Sequence, residues 1–569
     1  MSVAIPLISI IISATSVTII EPIDGETYDG DWLPFRVIVE NENVIPDSVS
    51  YSLNGGSPMQ VARLNTDWYT YMANDLRTGY SEAPAPHDNT ILWAAPVTGE
   101  YHEFPTPVTY DGMVFYTSDS IGTAITDTLY ALDAVTGDVI WTYDTGYADD
   151  AVTVVDGRLY TSADSIFCLD AYSGEIYWAY KDSISTVFNP CGPPVLFQEK
   201  VYALCSSGDI YCLDIQTGEL VWKADQQFWC ASSMTAWNGM LYVTTTNSST
   251  GLYALDTETG SIVWQNNDCP GFYWDSSPVI VDGFLYICAV GTSIGYALAV
   301  DASTGTTEWI STLATGVTAT PVFHEDRLYF ASEGAPYYCL DAMSGNTIWT
   351  SPYSHHGSSG AADGLVFFGE NSPQQDSASV IALDMETGTE VWNFRTSCSS
   401  LGFQSSPSIT DGVMYYACTD GYLYAFGTGL KYTYKEDGFI ADVGSNELIV
   451  TSWDNGTAVA ADTINFTVTQ TGITLEPSNR LHLCAQPNPF SSSTSISFEL
   501  AEAGPVSIQI FDLTGRLVAD LGNTHAVHGL NTVHWEGCSD SGVHVSAGLY
   551  FCRIESEGVT ETTGLCVLN

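Results

Sequence analysis

The chain has 569 residues, 45% apolar and 12% aromatic, which excludes a disordered polymer and is too long for one ordinary hydrophobic core. It carries 67 acidic against 14 basic residues, a net charge of −53. Such a surface repels nucleic acid and anionic lipid and excludes both as partners. The imbalance comes mainly from missing Lys and Arg, and it reads either as adaptation to salt, divalent cations or the cell exterior, or as plain solubility. Thr, Val, Tyr, Ser and Gly dominate, the composition of strands and turns.

The chain opens MSVAIPLISIIISATSVTII. An apolar run from Val3 to Ile12, followed by small residues at Ser13, Ala14 and Ser16, predicts a signal peptide over 1–16, although the usual basic start is missing. The run is too short for a membrane anchor, no lipobox-like Cys follows it, and no other transmembrane candidate exists, so the mature chain should carry no integral membrane segment. Residues 17–72 alternate strands and turns (SVTIIEPIDGETYDG, LPFRVIVEN, SVSYSLNGG, MQVARL). They resemble the first half of an immunoglobulin-like bacterial surface domain, with the closing strands absent.

A pattern then recurs seven times, from LYALDAVTGDVIW at 129–141 to VIALDMETGTEVW at 380–392. Its aspartates are Asp133, Asp170, Asp214, Asp256, Asp301, Asp341 and Asp384, about 42 residues apart, the period of propellers with four strands per blade. An apolar strand runs into Asp, then Ser/Thr-Gly, a hairpin turn in which Asp bonds the backbone and Gly takes positive φ. The next strand ends in Trp141, Trp178, Trp222, Trp264, Trp309, Trp349 or Trp392, a large aromatic placed to pack between blades. Upstream of each turn lies a second hairpin, as in PVTYDGMVFY and PSITDGVMYY. There are eight of these against seven Trp turns. The eighth unit decays at Tyr422-Leu423-Tyr424-Ala425-Phe426-Gly427, with neither Asp nor Trp. Its missing Trp is predicted to be Trp93, in the N-terminal strand TILW, whose distance of 18 residues to Asp111 matches the other blades. The prediction is an all-β protein with an eight-bladed β-propeller over 75–429, closed by pairing its two ends, and with immunoglobulin-like β-sandwich modules beside it.

These motifs resemble the tryptophan-docking repeat of the pyrroloquinoline-quinone dehydrogenases and their non-enzymatic relatives over about 350 residues. The resemblance implies that Trp93, Trp141, Trp178, Trp222, Trp264, Trp309, Trp349 and Trp392 are structural docking residues; it does not by itself imply a cofactor. The quinone enzymes hold their cofactor on the propeller axis with a vicinal Cys-Cys disulfide, a calcium ion and an Asp base. Here no Cys-Cys occurs, Cys191, Cys230, Cys269 and Cys398 stand alone near where blades turn toward the axis, and cations are few. No catalytic, cofactor or metal residue is therefore expected. His355-His356, in SPYSHHGSSG, reads as a solvated loop rather than a ligand pair. None of the 14 cysteines forms CxxC. Cys205 and Cys212, placed about a Ser-Gly-Asp turn, are either a cross-hairpin disulfide or two buried thiols.

Residues 430–471 resemble the last strands of the same sandwich as 17–72, which predicts one sandwich split by the propeller, with Phe35, Val37 and Val39 facing Leu448, Val450 and Phe466. Residues 480–569 read as a separate β-sandwich marked by Pro487-Asn488-Pro489-Phe490, Phe511-Asp512-Leu513-Thr514-Gly515-Arg516 and Gly548-Leu549-Tyr550. They resemble the C-terminal sorting domain of type IX secretion cargo and the sandwich of flagellar hook-capping proteins. The basic residue usual near the last strand of sorting domains is absent. A bridge between Cys484 and Cys566 would join the first and last strands. His525, His528, His534 and His544 crowd this domain and read as exposed strand positions rather than a zinc site. The expectation is an exported bacterial protein of the cell surface or medium, passing through the periplasm. It would be a non-catalytic binding or scaffold platform for an unknown protein or envelope ligand, with its last domain engaging secretion machinery. The alternatives are a quinone- and calcium-dependent dehydrogenase and an outer-membrane assembly scaffold.

Overall fold

The repeat turn shows why the chain folds as hairpins. Asp133 Oδ1 accepts the amides of Val135 (2.9 Å) and Thr136 (2.8 Å), while the Gly137 amide donates to Asp133 O (2.9 Å) with φ of +73°. The same carboxylate capture recurs at Asp170, Asp214, Asp256, Asp301, Asp341 and Asp384. Each of these hairpins carries a one-residue register shift just before the turn, which strengthens the local twist.

The computed structural model describes residues 16–567 except 22–26, 30–31, 42–47, 54–58, 62–65, 98–104, 119–126, 147–150, 164, 182–191, 206–207, 226–231, 246–250, 270, 272–275, 292, 333, 335, 356, 371–377, 397–401, 404, 441–443, 455–456, 470–483, 487–493, 501–503, 513–515, 527–528, 536, 540–543, 546–547 and 557–558. Among the described residues every regular element is a β-strand, and no helix is long and apolar enough to cross a membrane. The predicted signal peptide lies outside the described residues but for Ser16.

Eight antiparallel four-stranded sheets follow one another along the chain, an arrangement consistent with eight blades. The first comprises Val108–Tyr110, Met113–Thr117, Asp127–Asp133 and Val139–Gly146; the next six span 153–180, 195–225, 235–266, 279–313, 322–351 and 360–396. The eighth takes Ser408–Thr410, Val413–Cys418 and Tyr422–Phe426 from one end of the repeat region and Ile91–Pro96 from the other, with Ala425 opposite Trp93. The short first strands touch between sheets one and two, three and four, four and five, five and six, seven and eight, and eight and one, and Tyr80–Ser81 lies between those of sheets six and seven, as the inner strands of a ring would.

The chain divides into two compact units, Met1–Thr469 and Gln470–Asn569. Within the first, strands from both sides of the ring share two further sheets. Trp32–Asn41 lies between Ser16–Glu21 and Leu430–Ile440 in one. The other has the order Thr27–Asp29, Thr457–Thr469, Gly444–Asp454, Ser48–Leu53, Met59–Val61. Ile19, Val37, Val39, Val49, Tyr51 and Leu448 are buried in one cluster that continues into the eighth and first sheets of the ring. The side chains of Phe35, Val450 and Phe466 lie outside the described residues. In the second unit a three-stranded and a four-stranded sheet bury Ile496, Phe498, Val506, Ile508, Ile510 and Trp535.

Candidate functional site on the propeller axis

An inner strand leaves one edge without a partner in its own sheet, so its amides must find acceptors elsewhere. In this protein the chain supplies them. The last described strand before the ring ends at Val61, and residues 66–81 then pass from one inner strand to the next. Trp68 O accepts the amide of Thr109 (2.9 Å), Tyr69 O that of Val154 (2.8 Å), Leu76 O that of Ile280 (3.0 Å), Thr78 O that of Phe323 (2.8 Å) and Gly79 O that of Ala361 (2.9 Å). Thr66 Oγ1 donates to Asp411 Oδ1 (3.0 Å) beside the eighth inner strand. Tyr80–Ser81 then joins the seventh sheet as a parallel fifth strand. A segment bonded to the inner strands of six of the eight sheets, on both sides of the ring, crosses the space those strands enclose. The expected end of the first sandwich half at residue 72 falls inside this segment.

About every second side chain of the segment is buried, while Asp75 is exposed. Trp68, Met72 and Arg77 are at most 2% exposed. The Arg77 guanidinium donates to Thr70 Oγ1 (2.9 Å) and Tyr71 O (2.8 Å), and its Nε and Nη2 reach Met234 O at the fourth sheet (3.4 and 3.3 Å). Burial draws its pKa down to about 10, which leaves it charged at neutral pH. The Tyr71 hydroxyl lies 2.9 Å from Ser358 Oγ and 3.1 Å from Thr320 Oγ1. The turns need unusual backbone: Met72, Ala73 and Arg77 take φ of 56°, 73° and 63°. Each such residue costs on the order of 1–3 kcal/mol and persists only where its surroundings over-determine it.

The tryptophans occupy equivalent places. Trp93, Trp141, Trp178, Trp222, Trp264, Trp309 and Trp349 donate from Nε1 to Ala134, Ala171, Ile215, Thr257, Ala302, Ala342 and Met385 at 2.9–3.1 Å. Each acceptor is the residue after the turn aspartate of the next sheet. The rings lie over the turn glycines, where an added Cβ would meet ring atoms at under 3.0 Å. Trp392 faces the eighth sheet, whose third and fourth strands are not joined by a turn, and donates to Pro86 O (3.0 Å) in the lead-in segment.

Of the two alternatives for Cys205 and Cys212 the structure has the buried thiols, and the solvated reading of His355 needs correction. Cys205 and Cys212 are not opposite each other and no disulfide joins them. Cys212 lies opposite Tyr202 and Trp222, and the Cys205 amide donates to Asp209 O, so the hairpin centres nearer Cys205 than the symmetric reading assumed. His355 is not solvated: it is 1% exposed, packs against Phe368 and has Nε2 at 3.4 Å from the Tyr416 hydroxyl. Cys269 is buried, while His356, Cys191, Cys230 and Cys398 lie outside the described residues. So do the side chains of Cys484, Cys566 and His525, and all of His528. His534 and His544 are exposed. Among the described residues no three His, Cys, Asp or Glu side chains are grouped to hold a metal ion.

A family model described as outer membrane protein assembly factor BamB, of the quinone-repeat type, matches residues 82–222, 165–288 and 293–429. The chain belongs to this family. Solved structures similar to this BamB-family chain include BamB from Moraxella catarrhalis (18% identity, TM-score 0.47, covering 60% of this chain and 97% of that one). A quinohemoprotein alcohol dehydrogenase from Comamonas testosteroni is similar at 16% identity and TM-score 0.49, covering 68% and 82%. A europium-containing methanol dehydrogenase is similar at 14% and 0.49, covering 65% and 98%. No curated protein matches. Residues 485–567 match a secretion-system C-terminal sorting domain, which makes this BamB-family propeller a bacterial protein exported to the cell surface or medium.

Proposed function

We propose that this exported propeller is a non-catalytic platform that binds a protein or another envelope ligand. The segment across the ring supports this reading: residues 66–81 bond to the inner strands of six sheets, and the buried guanidinium of Arg77 is committed to Thr70, Tyr71 and Met234. On the same reading, the strands before residue 62, within the expected 17–72, and those of 430–471 form one immunoglobulin-like sandwich through which the ring is inserted, the ring runs over 75–429 with 66–74 leading into it, and 480–569 serves delivery by the secretion machinery. The eight tryptophans are docking residues rather than site residues. A role in outer-membrane assembly, as the family description has it, is the second reading, supported by the repeat match alone. The test is titration of the purified full chain with pyrroloquinoline quinone and calcium, followed by absorbance and by dye reduction with an alcohol. The platform reading expects neither saturable binding nor turnover. Stoichiometric quinone binding with chelator-sensitive dye reduction would establish the dehydrogenase instead.

A further inference from the structure

The outer strand of each sheet ends the strand order, so among the described residues its outward edge has no strand partner. What that rim exposes differs between the two halves of the ring. In sheets one to four the two residues before the docking Trp are both apolar, the pairs at 139–140, 176–177, 220–221 and 262–263, and each is 44–53% exposed. In sheets five to seven the corresponding pairs are Thr307-Glu308, Thr347-Ile348 and Glu390-Val391, and in sheet eight the pair is Ile91-Leu92, with Ile91 39% exposed and Leu92 half-buried. Edge strands in soluble proteins are ordinarily blunted by charge, as sheets five and seven are here. Five neighbouring sheets, eight and one to four, thus carry an apolar pair there, and those of sheets one to four, at 44–53% exposed, are out of keeping with the rest of the surface of a chain with net charge −53. Exposed acids stand just before three of the pairs, at Asp138, Glu175 and Glu219.

We infer that the rim of sheets one to four is a docking surface for a cationic amphipathic polypeptide, an extended segment with alternating basic and apolar side chains. Its apolar residues cover Ile176, Leu220, Val221 and Ile262, and its basic residues meet Glu175 and Glu219. Charge selects this occupant. A second copy of so acidic a chain would bring like charges together, and an anionic lipid surface would do the same.

This refines the platform reading, but the two tests fail separately, since quinone titration addresses the axis and the following experiment the rim. A synthetic peptide of alternating lysine and valine is titrated into the full-length protein, beside a lysine–serine peptide of equal length. The valine peptide should bind in preference. Ile176→Ser, Leu220→Ser and Ile262→Ser combined should weaken it by about tenfold or more, as loss of buried apolar anchors does. Ile348→Ser with Val391→Ser, on the opposite half, should leave it unchanged. Should the triple variant not fold, Glu175→Gln with Glu219→Gln provides the second probe and should also weaken binding. Equal binding of the lysine–serine peptide, or equal loss in the opposite-half variant, would overturn the inference as general counter-ion attraction. Self-association of the wild-type chain that the triple variant abolishes would overturn it in favour of a second copy.

Discussion

Seven sheets of this ring receive a tryptophan on a turn made by their own chain; the eighth receives Trp392 on Pro86, a residue more than 300 positions earlier. The seven turns share Asp, then Ser or Thr followed by Gly, and no such turn stands at the seam, yet the Nε1–carbonyl distance is 3.0 Å at Trp349 and at Trp392 alike. The contrast separates two jobs that the repeat merges. Asp and Gly build a tight turn, and the carbonyl after Asp receives the indole. Where the fourth strand arrives from the far end of the sequence no turn is needed, and any backbone that sets a carbonyl in the same place suffices. The seam is held instead by strand pairing of 91–96 with 422–426, by the Gly427 amide on Thr90 O (2.9 Å) and by Asn89 Nδ2 on Asn393 O (2.7 Å).

Deleting residues 88–95 should break this arrangement most severely. It removes the eighth outer strand and Trp93 together, exposing the third strand of that sheet as a new edge. The expected result is loss of the cooperative thermal transition of the ring, read by circular dichroism; a transition within a few degrees of wild type would mean the seam contributes little. Next in size is Arg77→Met, which leaves the Thr70 hydroxyl and two backbone carbonyls without their donor. Denaturant unfolding should show a loss of about 3 kcal/mol, the range for orphaned buried polar groups, and Arg77→Lys should not restore it because an ammonium cannot span the same acceptors.

The contrast between seam and regular sheets is sharpened by paired substitutions. Trp264→Phe and Trp392→Phe each lose one indole hydrogen bond and should cost similar amounts, about 1 kcal/mol beyond the lost ring area. Gly305→Ala strikes only the regular design, since Gly305 has φ of +75° and its Cβ would meet Trp264. It should cost about 2 kcal/mol, whereas Pro86→Ala, which keeps its carbonyl, should cost less. Equal effects of the two would show that turn shape is irrelevant to docking.

The smallest effect is the turn carboxylate. Hydrogen bonds from the Thr217 amide and hydroxyl hold Asp214 below its ordinary pKa. A depressed folded pKa stabilises above the unfolded value near ~3.9 and is lost as pH falls through the folded one. The difference in Tm between wild type and Asp214→Ala should therefore be constant near neutrality and shrink below about pH 4. A gap that does not change with pH would assign the effect to the turn backbone alone.

The ring was legible because its chemistry repeats: Asp and Gly at a fixed place in a turn, and Trp at a fixed place after it, leave the same letters every ~42 residues. The axial segment leaves no such mark. Its main bonds run from its own carbonyls to the amides of inner strands, which any sequence could make, and three of its four positive φ angles fall on Met72, Ala73 and Arg77, with only Gly79 of the residue type that announces such a turn. For the same reason His355, among serines and glycines, read as a surface loop, although Phe368 and Tyr416 enclose it. Cys205 and Cys212 were left open between a bridge and two thiols because register was not legible: the hairpin pairs Leu204 with Ile210, and a slip of a few residues separates two positions that look symmetric in the sequence.

The central claim, that the chain fills its own axis, is tested most directly by native-state hydrogen exchange at the inner-strand amides of Thr109, Val154, Ile280, Phe323 and Ala361. If residues 66–81 are a permanent part of the core, these five should exchange only with global unfolding and match the most protected amides of the sheets. Exchange at rates typical of open edge strands, with the rest of the ring still protected, would mean that the segment leaves the axis and that the axis is open to a ligand.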